Sequence, residues 1–172
     1  LDWGPTLLGE WKGISIQHAG WMVAAFEISG IVGMLVAGWA TDRFFGGRGP
    51  RVCVICMALA TVFIGLFWGV PHPPMWLATL LLGAAGFCIY GPQALVGIAA
   101  ANIATKKAAA TAVGFTGLFG YASTLVSGWG LGLLAQHYGW DYAIGGLILI
   151  AIMGTLIFLA AWSAKANGYD ND

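Results

Sequence analysis

The chain has 172 residues, of which 59% are hydrophobic and 8% charged, with seven Lys and Arg against seven Asp and Glu and a net charge of zero. A soluble domain of this length could not keep so apolar a composition off its surface, and the balance of charge supplies neither a basic face for nucleic acid nor an acidic tail. The sequence is that of an all-α integral membrane protein, and its 27 glycines, spread through the apolar runs, point to closely packed helices.

The chain opens at Leu1 without a methionine or a cleavable leader, and reads as a truncated start. Residues 1–18 hold Trp3, Gly4 and Pro5, then Glu10 and Lys12, and are expected to form a loop or short surface helix. A first span is predicted over about 19–40, long enough for a hydrocarbon core of roughly 30 Å, with one carboxylate inside it, Glu27. Residues 38–51, GWATDRFFGGRGPR, carry three of the seven basic residues and are expected to be a tight polar loop. A second span follows over 52–70, stopped by Pro71, His72, Pro73 and Pro74. The third, 75–103, is expected to be interrupted near its middle by Gly91 and Pro92, and Lys106 and Lys107 close it. The fourth runs over 108–134, ahead of a loop at Gln136, His137, Tyr138 and Gly139, and the fifth over 140–164, before Lys165 and a polar tail with Asp170 and Asp172. In the fourth, Gly114, Gly117 and Gly120 fall three apart and are expected to press on a neighbouring helix.

Lys and Arg in short loops bias those loops toward the cytoplasm. One set of loops holds Arg43, Arg48, Arg51, Lys106, Lys107 and Lys165, the other Lys12 alone. Residues 1–18 and the turns at 71–74 and 136–140 are therefore expected outside, the 41–51 loop and the tail inside. Trp68, Trp76 and Trp140 then fall at the outer interface, and Trp39 and Trp162 at the inner one. Five spans starting outside, plus one helix before Leu1, make three plus three, the repeat pattern of half a transporter.

The loop residues Gly38, Asp42, Arg43, Gly46 and Arg48 have a spacing that resembles the inter-helix loop signature of the major facilitator superfamily. The likeness extends through LDWGPT at the start, Gly20 and Trp21, Tyr90, Gly91 and Pro92, and above all KKAAATAVGFTGLFGY from Lys106 to Tyr121. Over nearly the whole chain these residues look like the organophosphate:phosphate antiporters, and among them the glycerol-3-phosphate branch. The resemblance implies a C-terminal helix bundle, five helices of an incomplete six-helix half, in a bacterial inner-membrane protein that exchanges an organic phosphate for inorganic phosphate by alternating access. It implies no cofactor and no metal, a missing N-terminal half as partner, and a main anion-binding arginine outside these residues.

By the same resemblance Tyr90 and Tyr121 line the substrate cavity, where a phenol can donate to phosphate without adding fixed charge, and Gln93 faces it. Each tyrosine reads equally well as a bond to a neighbouring helix, and Gly91 and Pro92 as a packing kink. Glu27 and Asp2 would pair with basic residues of the missing part, as gating contacts or as a structural bridge. Val113 and Thr116 stand where hexose-phosphate members have an Asp and a Lys, and Ala99 and Asn102 where the glycerol-3-phosphate branch has a histidine and an acid. A three-carbon phosphate is favoured; a hexose-phosphate antiporter and a transporter-like sensor are the alternatives. Cys53 and Cys56 form a C-x-x-C without a second pair, and His18, His72 and His137 are dispersed, so neither metal, redox nor enzymatic chemistry is expected.

Overall fold

The computed structural model describes residues 4–70, 73–104 and 107–163, apart from the side chains of Trp11 and Ile103. Six helices follow in order: α1 Gly4–Lys12, α2 Ile16–Phe44, α3 Gly49–Gly69, α4 Met75–Ile103, α5 Ala109–Tyr138 and α6 Trp140–Ala160. The last five are long and apolar enough to cross a membrane.

The helices run further than the charge pattern suggested. Helix α2 extends to Phe44, so Gly38, Asp42 and Arg43 belong to a helix and the loop shrinks to residues 45–48. Nothing in GWATDRF breaks a helix, and Arg43 in the last turn suits the negative end of the helix dipole. The break comes at Gly46 and Gly47, at φ of 56° and 76°, and Pro50 then starts α3. Helix α4 likewise passes through Pro92 without interruption. Gly91 and Pro92 are both buried between helices, where a proline is tolerated because neighbouring protein covers the freed backbone group.

Helix α5 continues through Gln136, His137 and Tyr138, so the expected four-residue loop is the single residue Gly139, at φ 91° and ψ 167°. Only glycine adopts that conformation without strain. Gly139→Ala is expected to lower stability by about 1–3 kcal/mol, seen as a lower melting temperature of the purified protein; an unchanged value would show that the turn relaxes.

Helix α2 shows why the bundle closes where it does. Its buried residues are Ala19, Met22, Phe26, Gly30, Gly33, Ala37 and Thr41, recurring every three or four positions as one face of a helix. That face packs on α4, which also packs on α3, while α3 packs on α6. Helix α1 lies on the same end of the bundle as the start of α2, where Leu8, Ala19, Met22, Phe67, Ala78 and Leu81 form one core cluster. A second cluster, Ala37, Val52, Cys53 and Leu95, closes the opposite end.

Helix α5 departs from this pattern. Only Gly132 is buried along its 30 residues. A methyl added at Gly114, Gly117 or Gly120 would meet nothing within 4 Å, so the expected close packing of these glycines is not made among the described residues.

Candidate functional site

The close contact between α2 and α4 is made by glycines on both sides. A methyl on Gly33 would run into the Phe87 carbonyl, one on Gly86 would lie 2.5 Å from the Phe26 carbonyl oxygen, and one on Gly30 would lie 2.6 Å from the Tyr90 ring. Ser29, one residue before Gly30, donates across the seam to the Gly83 carbonyl at 2.7 Å while also reaching the Ala25 carbonyl of its own helix. Within the spans such a hydroxyl holds helices together because each backbone group there must find a partner in protein.

This seam positions a carboxylate well inside a described span, whereas Asp42 and Asp141 stand at the ends of α2 and α6. Glu27 projects from α2 three residues before Gly30, and the Tyr90 hydroxyl, on α4, donates to its Oε2. The absence of a side chain at Gly30 leaves room for the Tyr90 ring, which packs edge-on against Phe26 with ring centres 5.9 Å apart. Both Glu27 and Tyr90 are half-buried, so the pair borders open space instead of being sealed in the core.

Among the described residues, no hydrogen bond joins Gln93, Tyr121 or the loop motif to this pair. Gln93 lies one turn beyond Tyr90 on α4 and is exposed. Tyr121 is 79% exposed on α5, with no side-chain hydrogen bond to a described residue. Asp2 lies outside the described residues. In the loop motif Asp42, Arg43 and Gly46 are exposed and Arg48 stands at the N-cap of α3. Gly38 lies within α2, and a methyl there would meet nothing within 4 Å among the described residues. Cys53, Cys56 and Cys88 are free thiols at the α3 and α4 interface, and no metal-holding group of His, Cys, Asp and Glu occurs among the described residues.

Two further sets of polar contacts were not anticipated. At the end of the bundle that carries α1, Trp140 Nε1 donates to Glu10 at 2.9 Å and Trp68 Nε1 to Asp141 at 2.9 Å, while Lys12 donates to the Val70 carbonyl and sits 5.5 Å from the centre of the Phe67 ring. Burial lowers the Lys12 ammonium below the usual lysine value, against the opposing pull of Asp141. At the opposite end the Arg51 guanidinium lies 5.3 Å from the centre of the Trp162 ring. The tryptophans themselves were the legible signal; their partners, distant in sequence, were not. Ser29 could have been found from its place on the small-residue face of α2, three positions after Phe26.

Comparison with known proteins decides what kind of chain carries this seam. The family model of the Major Facilitator Superfamily matches residues 4–168. The chain belongs to that superfamily. A "Probable hexose phosphate transport protein" of Chlamydia muridarum is 41% identical over 166 residues, covering 95% of this chain and 36% of that protein. A "Glycerol-3-phosphate transporter" of Haemophilus influenzae is 35% identical over 187 residues, 97% of this chain and 39% of that one. A "Membrane sensor protein UhpC" of Escherichia coli K12 is 34% identical over 165 residues, 95% of this chain and 37% of that one. The chain thus spans a little over a third of the length of these superfamily relatives, which are transporters and a sensor, not enzymes.

Proposed function

We propose that this chain is the C-terminal half-bundle of a bacterial inner-membrane antiporter that exchanges an organic phosphate for inorganic phosphate by alternating access. The observation that carries the reading is the Glu27–Tyr90 pair. It is a carboxylate and a phenol held by a glycine seam within membrane-spanning helices, in a chain alignable over 95% of its length with a hexose phosphate transport protein. An ionisable group at that depth is costly and therefore marks function. Needing no bound cofactor, the exchange would be driven by the phosphate gradients.

A phenol has one proton to donate. While the Tyr90 hydroxyl is engaged with Glu27 it cannot donate to phosphate, so its two roles alternate: Tyr90 holds Glu27 in one state and meets the anion when Glu27 turns to a basic residue of the N-terminal half. Gln93, exposed one turn along α4, and Tyr121, exposed on α5, supply further donors to the cavity, and Asp2 a second gating charge. Residues 1–18 face outward. The 41–51 segment and the C-terminal tail face the cytoplasm, where Asp42 and Arg43, at the end of α2, act at the hinge.

Glycerol 3-phosphate is the proposed cargo, because Val113 and Thr116 put no charge on the α5 turn where the resemblance leads one to expect an Asp and a Lys for hexose phosphates. The 41% identity to the Chlamydia muridarum protein favours a second reading, a hexose phosphate, and the likeness to UhpC a third, a sensor. The full-length protein in phosphate-loaded vesicles is expected to take up labelled glycerol 3-phosphate, with excess glucose 6-phosphate a poor competitor. Uptake of labelled glucose 6-phosphate instead would favour the second reading, and binding without exchange the third.

A further inference from the structure

The two ends of the bundle treat their basic residues differently. Beside α1 the Lys12 ammonium donates to the Val70 carbonyl and lies in the field of the Asp141 carboxylate, so its charge is met within the chain. At the other end Arg48 and Arg51 stand at the start of α3, and among the described residues neither forms an ion pair. The first turn of α3 holds no acidic residue and its N-cap makes no side-chain hydrogen bond. Two cations thus lie at the positive end of a helix dipole, where an anion is the favoured neighbour.

Arg51 is held in place without being neutralised. Its guanidinium lies 5.3 Å from the centre of the Trp162 ring, and its Nε donates to the Trp162 carbonyl at 3.4 Å, a long bond just past the end of α6. Both Nη groups, a planar fork that matches phosphate oxygens, have no partner among the described residues, and neither has the Trp162 indole N–H. Arg51 also heads an apolar stripe. Ile55, Leu59, Val62 and Leu66 follow it at helical spacing on one face of α3, opposite the buried Cys53, Ala60 and Phe67, and are between 41% and 54% exposed. Residues 55–66 cover about 16 Å of helix, close to the depth of one leaflet of a hydrocarbon core roughly 30 Å thick.

We propose that Arg51, Trp162 and this stripe bind one anionic phospholipid, with its phosphodiester on the guanidinium and its acyl chains along residues 55–66. Head and tails each have a counterpart. A soluble phosphate would meet the arginines and leave the stripe uncovered, and a zwitterionic lipid would cover the stripe but bring a second cation beside Arg48 and Arg51. An anionic lipid satisfies both parts at once. The indole contributes by holding the fork still, since a guanidinium already placed by an aromatic face gives up less freedom on binding than a loose side chain. Arg43 lacks this arrangement: it is exposed in the last turn of α2, where the negative end of its own helix dipole already favours a cation. The site requires only that these helices cross a membrane, and it holds for any cargo.

The test is native mass spectrometry of the full-length protein in detergent, titrated with phosphatidylglycerol or with phosphatidylcholine of the same acyl chains. The first phosphatidylglycerol is expected to bind about fivefold more tightly than the first phosphatidylcholine, the order that one basic residue contributes at an anionic surface. Arg51→Ala is expected to remove that preference while leaving phosphatidylcholine binding unchanged, and Arg43→Ala to keep it. Equal affinity for the two lipids, or a preference that survives Arg51→Ala, would overturn the proposal. Displacement of phosphatidylglycerol by inorganic phosphate would overturn it as well, assigning Arg51 to a soluble anion. Because Arg51→Ala also removes a tie between α3 and α6, the unaltered protein supplies a second readout. In vesicles, phosphatidylglycerol with a diazirine in its acyl chain is expected to give adducts on residues 55–66 several-fold more often than the matching phosphatidylcholine probe, and to label residues 149–157 of α6 no more than that probe does. Equal labelling of 55–66 by the two probes would refute selection by charge, and no adducts there would show that protein covers the stripe and refute the site.

Discussion

Gly33→Ala is expected to destabilise the full-length protein by about 1–3 kcal/mol or more, as overpacking does, although alanine is the better helix former by about 1 kcal/mol. The added methyl has no free direction. It points at the Phe87 backbone carbonyl, and backbone cannot swing aside as the end of a flexible side chain can. Either α2 and α4 separate, loosening the Ser29 bond to the Gly83 carbonyl and the Tyr90 bond to Glu27, or α4 shifts along its length. Gly86→Ala meets the Phe26 carbonyl and is expected to behave alike. Gly38→Ala and Gly97→Ala provide the controls on the same two helices, since a methyl at either meets nothing within 4 Å among the described residues. They should be neutral or slightly stabilising. Thermal unfolding of the four detergent-solubilised variants measures the contrast, and equal melting temperatures for Gly33→Ala and Gly38→Ala would show that the two helices are not in the contact described.

That contrast also marks what a single sequence makes legible. Five apolar segments of spanning length could be read from hydropathy alone, because lipid forces each span to be long, apolar and helical whatever it packs against. Helix ends were less legible. Asp42, Arg43, His137 and Tyr138 look like loop residues by charge and polarity, yet a helix can carry polar residues past the hydrocarbon boundary, and only the backbone need of Gly46, Gly47 and Gly139 ends it. Glycine spacing misled in one place and was silent in another. Gly114, Gly117 and Gly120 have the regular spacing but no neighbour among the described residues, whereas Gly30, Gly33 and Gly86, without so visible a pattern, make the closest approach in the bundle. Spacing reports a face; it does not report whether a partner covers it.

The candidate site was legible as residues and not as a pair. Glu27 stood out as the one carboxylate in an apolar run, and Tyr90 was noted as a donor, but 63 positions separate them and nothing local joins them. They meet because Ser29, Gly30, Gly83 and Gly86 let the backbones of α2 and α4 come together. Sequence distance hides such a meeting, and only the packed helices bring it out.

The pairing makes an expectation that neither residue makes alone. Tyr90→Phe keeps the ring against Phe26 and removes only the hydroxyl, leaving the Glu27 oxygen without that donor, at a cost of about 1–3 kcal/mol where the acceptor is shielded from water. Glu27→Gln keeps the shape and removes the charge. If the two act as a unit, phosphate exchange by the full-length protein in vesicles falls in each single variant, and the double variant falls by less than the product of the two. The coupling expected for a directly bonded pair is about 0.5–3 kcal/mol. Independent, multiplicative losses would separate the residues into two unrelated roles, and full exchange by Glu27→Gln at normal expression would remove Glu27 from gating. Binding of phosphate discriminates further. A Tyr90 that alternates between Glu27 and the anion should weaken the apparent affinity for phosphate when changed to Phe, while Glu27→Gln, whose amide oxygen accepts from the hydroxyl more weakly than the carboxylate does, should hold or tighten binding as it slows turnover.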